Sequence, residues 1–149
     1  MKSSILVTTL LSLTALQAGA QSAGSTRLLR QPTVSATHIA FTYANNLWTV
    51  ERAGGLARRL TSFQGQTVNP RFSPDGKWIA FSAEYAGNLD VYVLSAEGGE
   101  PKRLTWHPGA DTVQGWTHDG ASVVFASGRA TAAPSAAPRF WTVPAGGGV

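Results

Sequence analysis

The side chains able to do chemistry in this 149-residue chain are few, and their spacing assigns them little. Asp111, His118 and Ser122 supply the residue types of a nucleophilic triad. A triad is a geometry, a serine oxygen held against an imidazole that a carboxylate orients, and proximity in sequence does not supply it. No residue is therefore assigned a catalytic role. His118 occupies the turn position that Pro74 holds elsewhere in the chain, His38 stands where a strand begins, and His107 precedes Pro108 in a loop. Neither His38 nor His107 has a second ligand at metal-binding spacing, and the chain has no cysteine, so neither a metal ion nor another cofactor is expected. Asp75 and Asp119 are each followed by glycine, which points to a turn rather than to catalysis or calcium binding. Asp90 and Asp111 read as loop or strand-edge residues. Of the five tryptophans, Trp48 and Trp141 share a repeat position with Tyr92, and Trp116 shares one with Phe72, which argues for packing. Trp78 and Trp106 have no such equivalents and are the candidate functional surface, for aromatic contact with a peptide or a sugar.

The elements that must position these residues come from an internal repeat. Leu47-Trp48-Thr49-Val50, Gly54-Gly55 and Arg58-Arg59-Leu60-Thr61 recur 44 positions later as Val91-Tyr92-Val93-Leu94, Gly98-Gly99 and Lys102-Arg103-Leu104-Thr105. A period in the forties, in strand-forming residues punctuated by glycine pairs, marks the blades of a β-propeller, each a small sheet unable to bury its faces alone. In His38 to Tyr43 the large residues Ile39, Phe41 and Tyr43 alternate, which places them on one face of a strand. Asn45-Asn46 then turns the chain, Leu47 to Val50 forms the next strand, Ala53-Gly54-Gly55 the next turn and Arg58 to Thr61 a further strand. The basic pairs Arg58-Arg59 and Lys102-Arg103 are expected to place one side chain outward and to bury the stem of the other.

In the second copy Phe72-Ser73-Pro74-Asp75-Gly76 reverses the chain, Lys77 to Ser82 leaves the turn as a strand, and Ile79-Ala80-Phe81 repeats Ile39-Ala40-Phe41 at a spacing of 40. The difference between the two spacings belongs in the loop holding Glu84 to Asn88, because loops absorb length changes and strands do not. In the third copy Gly115 to Gly120 aligns with Arg71 to Gly76, and Val123-Val124-Phe125 with Ile79-Ala80-Phe81. An Ala/Pro-rich stretch, Gly128 to Pro138, lengthens its hairpin before Phe140 to Val143 and Gly146-Gly147 resume the pattern. The expectation is an all-β chain with blade repeats over 32–65, 69–109 and 113–149, two complete and the third lacking its last strand. Propellers close with about four to eight blades, so the chain reads as the front of a larger protein. The open flank of its third blade should expose some of Val123, Phe125, Trp141 and Val143 and associate through them.

A composition of 43% hydrophobic and 13% charged residues fits a folded chain. The net charge of +4 falls to +3 if Lys2 is removed, and the basic residues are spread along the chain, so neither nucleic acid nor an anionic membrane is an expected partner. Residues 1–20 read as a signal peptide helix: Lys2 is the positive start, Ile5 to Leu16 the apolar stretch and Ala18-Gly19-Ala20 the cleavage region. A spanning helix would need about 20 apolar residues, and Thr8, Thr9, Ser12 and Thr14 interrupt this one. Residues 21–31 form a flexible lead-in. Membrane contact is expected only through the leader, and the mature protein in the periplasm or outside the cell.

The set Phe72 to Gly76, Ile79-Ala80-Phe81, Asp90 to Val93, Gly98-Gly99 and Lys102 to Thr105 resembles the WD-like propeller repeat of exported bacterial proteins. The order Pro32-Thr33-Val34, Ile39-Ala40-Phe41, Asn45 to Trp48, Arg103 to Gly109 and Gly115-Trp116 is similar to the N-terminal propeller of tricorn protease homologues, over about Leu28 to Val149. That resemblance implies a serine peptidase whose nucleophile and partners lie in later domains, a propeller that guides or filters peptides or unfolded polypeptide, and a homo-oligomer, the best known being hexameric. The archetype works inside the cell, which makes the cytoplasm the alternative location. The alternative function is a Tol-like periplasmic scaffold that binds envelope proteins. Such a scaffold carries a small α/β domain before its first blade, and only about ten residues separate Ala20 from Pro32. A propeller-capped α/β-hydrolase would show a Gly-x-Ser-x-Gly elbow, and this sequence has none.

Overall fold

A computed structural model of the chain describes residues 28–129 and 137–147. The expected signal peptide, most of the lead-in and the middle of the Ala/Pro-rich stretch lie outside the described residues. Within them the protein is all β, and no helix is long and apolar enough to cross a membrane. Three antiparallel sheets follow one another along the chain. The first comprises β1 (Arg30–Val34), β2 (His38–Tyr43), β3 (Asn46–Glu51) and β4 (Arg58–Arg59). The second comprises β5 (Thr67–Phe72), β6 (Trp78–Ala83), β7 (Asp90–Ser95) and β8 (Lys102–Arg103), and the third β9 (Asp111–Trp116), β10 (Ser122–Ser127) and β11 (Arg139–Pro144). In each sheet the strands pair in sequence order, and the innermost strands meet in turn, β1 against β5 and β5 against β9.

Local chemistry explains the departures from the expected boundaries. The turn between β2 and β3 is Ala44-Asn45, both with positive φ (47° and 63°), and Asn46 already pairs with Tyr43. A two-residue hairpin needs such left-handed residues for its twist to match that of the strands. The corresponding loop in the second sheet runs from Glu84 to Leu89, which accommodates the extra residues where expected. The glycine pairs sit alike, with φ of 96° and 123° at Gly54 and Gly55 and of 96° and 117° at Gly98 and Gly99, a region that side chains rarely adopt. The outermost strands β4 and β8 are only two residues long: Leu60 and Thr61, and their equivalents Leu104 and Thr105, leave the ladder to be buried.

The innermost strands contain proline, Pro32 in β1 and Pro70 in β5, each at a bulge where the register shifts. An edge strand with a bulge accommodates a residue that cannot donate to the ladder. The residues before them, Gln31 and Asn69, both have φ of 51° and bond to each other across the sheets, Gln31 Nε2 donating to Asn69 Oδ1 at 2.7 Å and Asn69 N to Gln31 Oε1 at 2.9 Å. Thus the bulges of neighbouring sheets are clasped together.

Strand alternation gives every sheet two unlike faces. Ala40, Leu47 and Leu60 of the first sheet pack on Ile79, Phe81, Tyr92 and Leu94 of the second. Ala80, Val91, Val93 and Leu104, on the second sheet's other face, pack on Val123 and Phe125 of the third, with Trp116, Trp141 and Val143 alongside. At both junctions the following sheet inserts its larger residues into a neighbour of smaller ones. The cross-strand aromatic pairs Phe81 with Tyr92 and Phe125 with Trp141 hold the same register position. Each fully buried residue of this size contributes about 1.5–3 kcal/mol. This corrects the expected flank: Val123 and Phe125 are 0% and 1% exposed because they face inward to the second sheet, whereas Phe140, on the opposite face of β11, is 74% exposed.

A second repeated contact fastens the outer rim. Arg58 donates to the carbonyls of Glu97 (2.9 Å) and Ala96 (3.3 Å) in the next sheet's glycine turn, and Lys102, its equivalent, donates to Gly146 O in the turn after β11. The basic pairs therefore act differently from a solvated face, the first member of each reaching across to the neighbouring sheet. Replacing Phe125 by alanine is expected to destabilise the chain by about 3–5 kcal/mol, while Phe140→Ala should stay within about 0.5 kcal/mol. Urea denaturation of both variants checks the assignment of faces, and equal losses would refute it.

Candidate functional site

The side chains with chemical potential gather at opposite ends of the sheets. At one end β7 begins with Asp90 and β9 with Asp111. Both stand at strand ends, and the structure adds what the loop or strand-edge reading did not contain: they are 0% exposed and are buried ion-pair partners. Arg103 Nη2 lies 2.6 Å from Asp90 Oδ2, while Asp90 Oδ1 accepts from Asn88 (3.3 Å) and Thr105 (3.4 Å). Thr105 Oγ1 in turn accepts the Val91 N–H at 3.0 Å. The first sheet repeats this cluster in neutral form, with Thr61 Oγ1 donating to Asn46 Oδ1 at 3.3 Å and accepting Leu47 N–H at 2.9 Å. Burial pushes the Asp90 carboxyl above its ordinary value, against the opposing pull of Arg103 and Asn88.

Asp111 is paired at 2.5 Å with Arg129, whose guanidinium lies 4.8 Å from the Phe125 ring centroid and 5.6 Å from that of Trp141. The equivalent contact in the second sheet is the neutral pair Thr67 Oγ1 and Tyr85 OH at 2.8 Å. Charge has thus been substituted into a position that the repeat also fills with hydroxyls. Asp111 cannot orient His118, which follows β9 in the turn at its far end with Ser122, so these three residues are not brought together. Among the described residues no group of three His, Asp or Glu side chains converges as a metal site would require.

The other end carries the turns before β6 and β10. Ser73 Oγ donates to Asp75 Oδ1 at 2.6 Å and the same oxygen accepts Lys77 N–H at 3.1 Å; Thr117 and Ala121 serve Asp119 identically, at 2.6 and 3.0 Å. The hydroxyl and then the backbone donor hold both carboxyls below their ordinary value, so they remain ionised at neutral pH and shed this contribution only as acid titrates them. Trp78, at the start of β6, is 48% exposed at this end. Trp106, 65% exposed, follows β8 at the Asp90 end, with the Arg103 guanidinium 5.8 Å from its ring centroid. The two candidate tryptophans therefore sit on opposite ends of one sheet. Arg129 escaped the sequence reading, and Arg103 was expected only to bury its stem or face outward, without its partner; the available signal for the pair was the 44-residue offset linking Asn46, Arg59 and Thr61 to Asp90, Arg103 and Thr105.

Successive antiparallel sheets stacked face to face around their innermost strands are the blades of a β-propeller. The chain belongs to the tricorn protease N-terminal β-propeller domain family, whose family model matches residues 26–149. It is similar to tricorn protease homolog 1 of Streptomyces coelicolor, at 38% identity over 93 residues, which is 62% of this chain and 9% of that protein. The crystal structure of the tricorn protease aligns with a TM-score of 0.62 at 28% identity, over 70% of this chain and 11% of that one. TolB from Acinetobacter baumannii aligns with a TM-score of 0.64 at 25% identity, over 81% of this chain and 31% of that one. The chain thus spans about a tenth of the length of these two tricorn-type proteins.

Arg103→Met should destabilise the protein by about 3 kcal/mol at neutral pH, the low end for a broken buried pair because the arginine side is a quarter exposed. Without Arg103 the Asp90 carboxyl rises further, and a group that binds its proton more tightly when folded loses stability as pH rises. The deficit against the parent should therefore shrink as pH falls toward the ordinary value of 3.8. Denaturation midpoints at about pH 7.5 and about pH 4.5 check this, and a deficit independent of pH would exclude Asp90 as its source.

Proposed function

We propose that these blades open the propeller of a tricorn-like serine peptidase, and that the propeller guides or filters peptides or unfolded polypeptide for a catalytic region outside this sequence. The observation that carries the reading is the match of residues 26–149 to the N-terminal propeller of a protease family. The likeness to TolB favours a second reading, a periplasmic scaffold binding envelope proteins. Its TM-score is nearly equal to that of the tricorn structure, so the fold alone does not separate the two, and the family match favours the peptidase. The leader-like sequence over 1–20 supports export to the periplasm; the tricorn-like reading, resting on the family match, brings with it a homo-oligomer for the full-length protein.

In the full-length protein, deletion of residues 28–147 is expected to change hydrolysis of an unfolded polypeptide by at least about tenfold while sparing a short chromogenic peptide. An equal effect on both substrates would defeat a guiding role. Cell fractionation with N-terminal sequencing should find the mature protein in the periplasm beginning at Gln21; an intact Met1 in the cytoplasm would defeat the proposed export.

A further inference from the structure

The turn carboxylates and Trp78 line a groove that neither the packing nor the family match accounts for. It lies between the second and third sheets and has a volume of about 450 Å³. Trp78 stands at its wall, Val93 and Trp116 form its apolar lining, and Asp75 and Asp119 stand on its rim. The rim is acidic at the inner end, because both aspartates follow innermost strands, and its outer end holds Lys102, whose ammonium is already engaged by Gly146 O. Each carboxylate uses Oδ1 in its own turn, and both residues are exposed. The neighbouring groove, between the first and second sheets, is lined by Asp75, Lys77, Trp78, Glu97 and the turn from Ser35 to His38, which has no carboxylate equivalent to Asp75. At the junction of the second and third sheets turn carboxylates from two different sheets line one groove with Trp78, whereas in the neighbouring groove the second carboxylate, Glu97, belongs to the same sheet as Asp75 and Lys77 lies beside them.

We infer that this groove docks an extended peptide segment carrying a Lys or Arg side chain, its cation between Asp75 and Asp119 against the ring of Trp78 and an adjacent apolar side chain on Val93 and Trp116. Opposite charge selects the basic residue, and the indole face adds attraction for a cation, preferentially a guanidinium. The acidic end lies beside the innermost strands, so a docked segment would lie radially with its basic residue toward the propeller axis. This rests on the reading that the propeller handles peptides, and it adds which peptides and where.

The probe is a fluorescein-labelled decapeptide with Arg-Leu at its centre, titrated against the 149-residue chain by fluorescence anisotropy; its control carries Glu-Leu. Only the Arg-Leu peptide should bind, with an affinity that falls as salt is raised. Asp75→Asn combined with Asp119→Asn should weaken it at least about tenfold, and Trp78→Ser about three- to tenfold. Asparagine retains the Oδ1 acceptor that each turn uses, and Trp78→Ser brings in the residue type found at the equivalent position 122 without touching a turn, so each variant checks the other. Phe140→Ser, exposed at the opposite end of the third sheet, should change nothing. Equal binding of both peptides, no binding at millimolar chain, or indifference to the substitutions at 75, 119 and 78 overturns the groove. In the full-length protein, propeller-dependent hydrolysis that ignores peptide charge overturns the groove but leaves the guiding role standing. Arg-selective binding that the groove substitutions abolish, alongside hydrolysis unaffected by deletion of the blades, supports the groove and removes the guiding role.

Discussion

Everything in this structure depends on the burial of sheet faces against neighbouring sheets. A small sheet has two faces, and a strand ladder satisfies its backbone without hiding either one from water. Here the solution is asymmetric: one face of each sheet carries larger side chains and the other smaller ones, so the stack has a direction. Ile79, Phe81, Tyr92 and Leu94 fill the space left by Ala40, Leu47 and Leu60, and Val123, Phe125 and Trp141 do the same against Ala80, Val91 and Val93. The polar contacts that repeat are those that keep the faces aligned. Gln31 and Asn69 clasp near the axis, while Arg58 and Lys102 clasp at the rim. Apolar contact is nondirectional, so directional bonds at both edges fix the position of one sheet on the next.

The parts of this arrangement legible in the sequence were those with local causes. The hairpins were readable because the glycine pairs and the Ser-Pro-Asp-Gly turn demand particular backbone angles, and the strands between them because their large residues alternate. Strands β1 and β5 were obscured by Pro32 and Pro70, which by local rules argue against a strand and are accommodated only by a bulge at a sheet edge. The flank was misplaced for a different reason. Alternation separates Val123 and Phe125 from Val124 and Phe140, but it cannot say which set meets the neighbour, since that is settled by the direction of the stack. The burial of Asp90 and Asp111 was not legible from their place at strand ends, because it depends on Arg103 and Arg129, which the fold brings to them from beyond the next hairpin.

The two ends of the blades differ in how their polar groups are used. At the Asp90 end nearly every group is committed to holding the chain: Asp90 is met by Arg103, Asn88 and Thr105, and the hydroxyl of Thr105 also receives a strand N–H. At the Trp78 end the carboxylates of Asp75 and Asp119 are fixed in place by their turns through one oxygen while remaining exposed. They are preorganised without being consumed, a combination suited to recognition because little ordering remains to be done on binding.

Repetition sharpens that distinction. Positions that every blade fills alike, such as Trp48, Tyr92 and Trp141 opposite Phe41, Phe81 and Phe125, are accounted for by the packing that every blade needs. A departure from the repeat at an exposed position has no such account. Position 78 is the clearest: its equivalents are His38 and Ser122, all begin the same strand, and only here does the strand open with a large aromatic half in solvent. Leaving an indole exposed forgoes the burial that makes tryptophan favourable in a core. It lies, moreover, in the groove that Asp75 and Asp119 also line. In a chain built from copies, the shared residues describe the scaffold, and a residue that breaks the pattern without helping the scaffold points to what the scaffold presents.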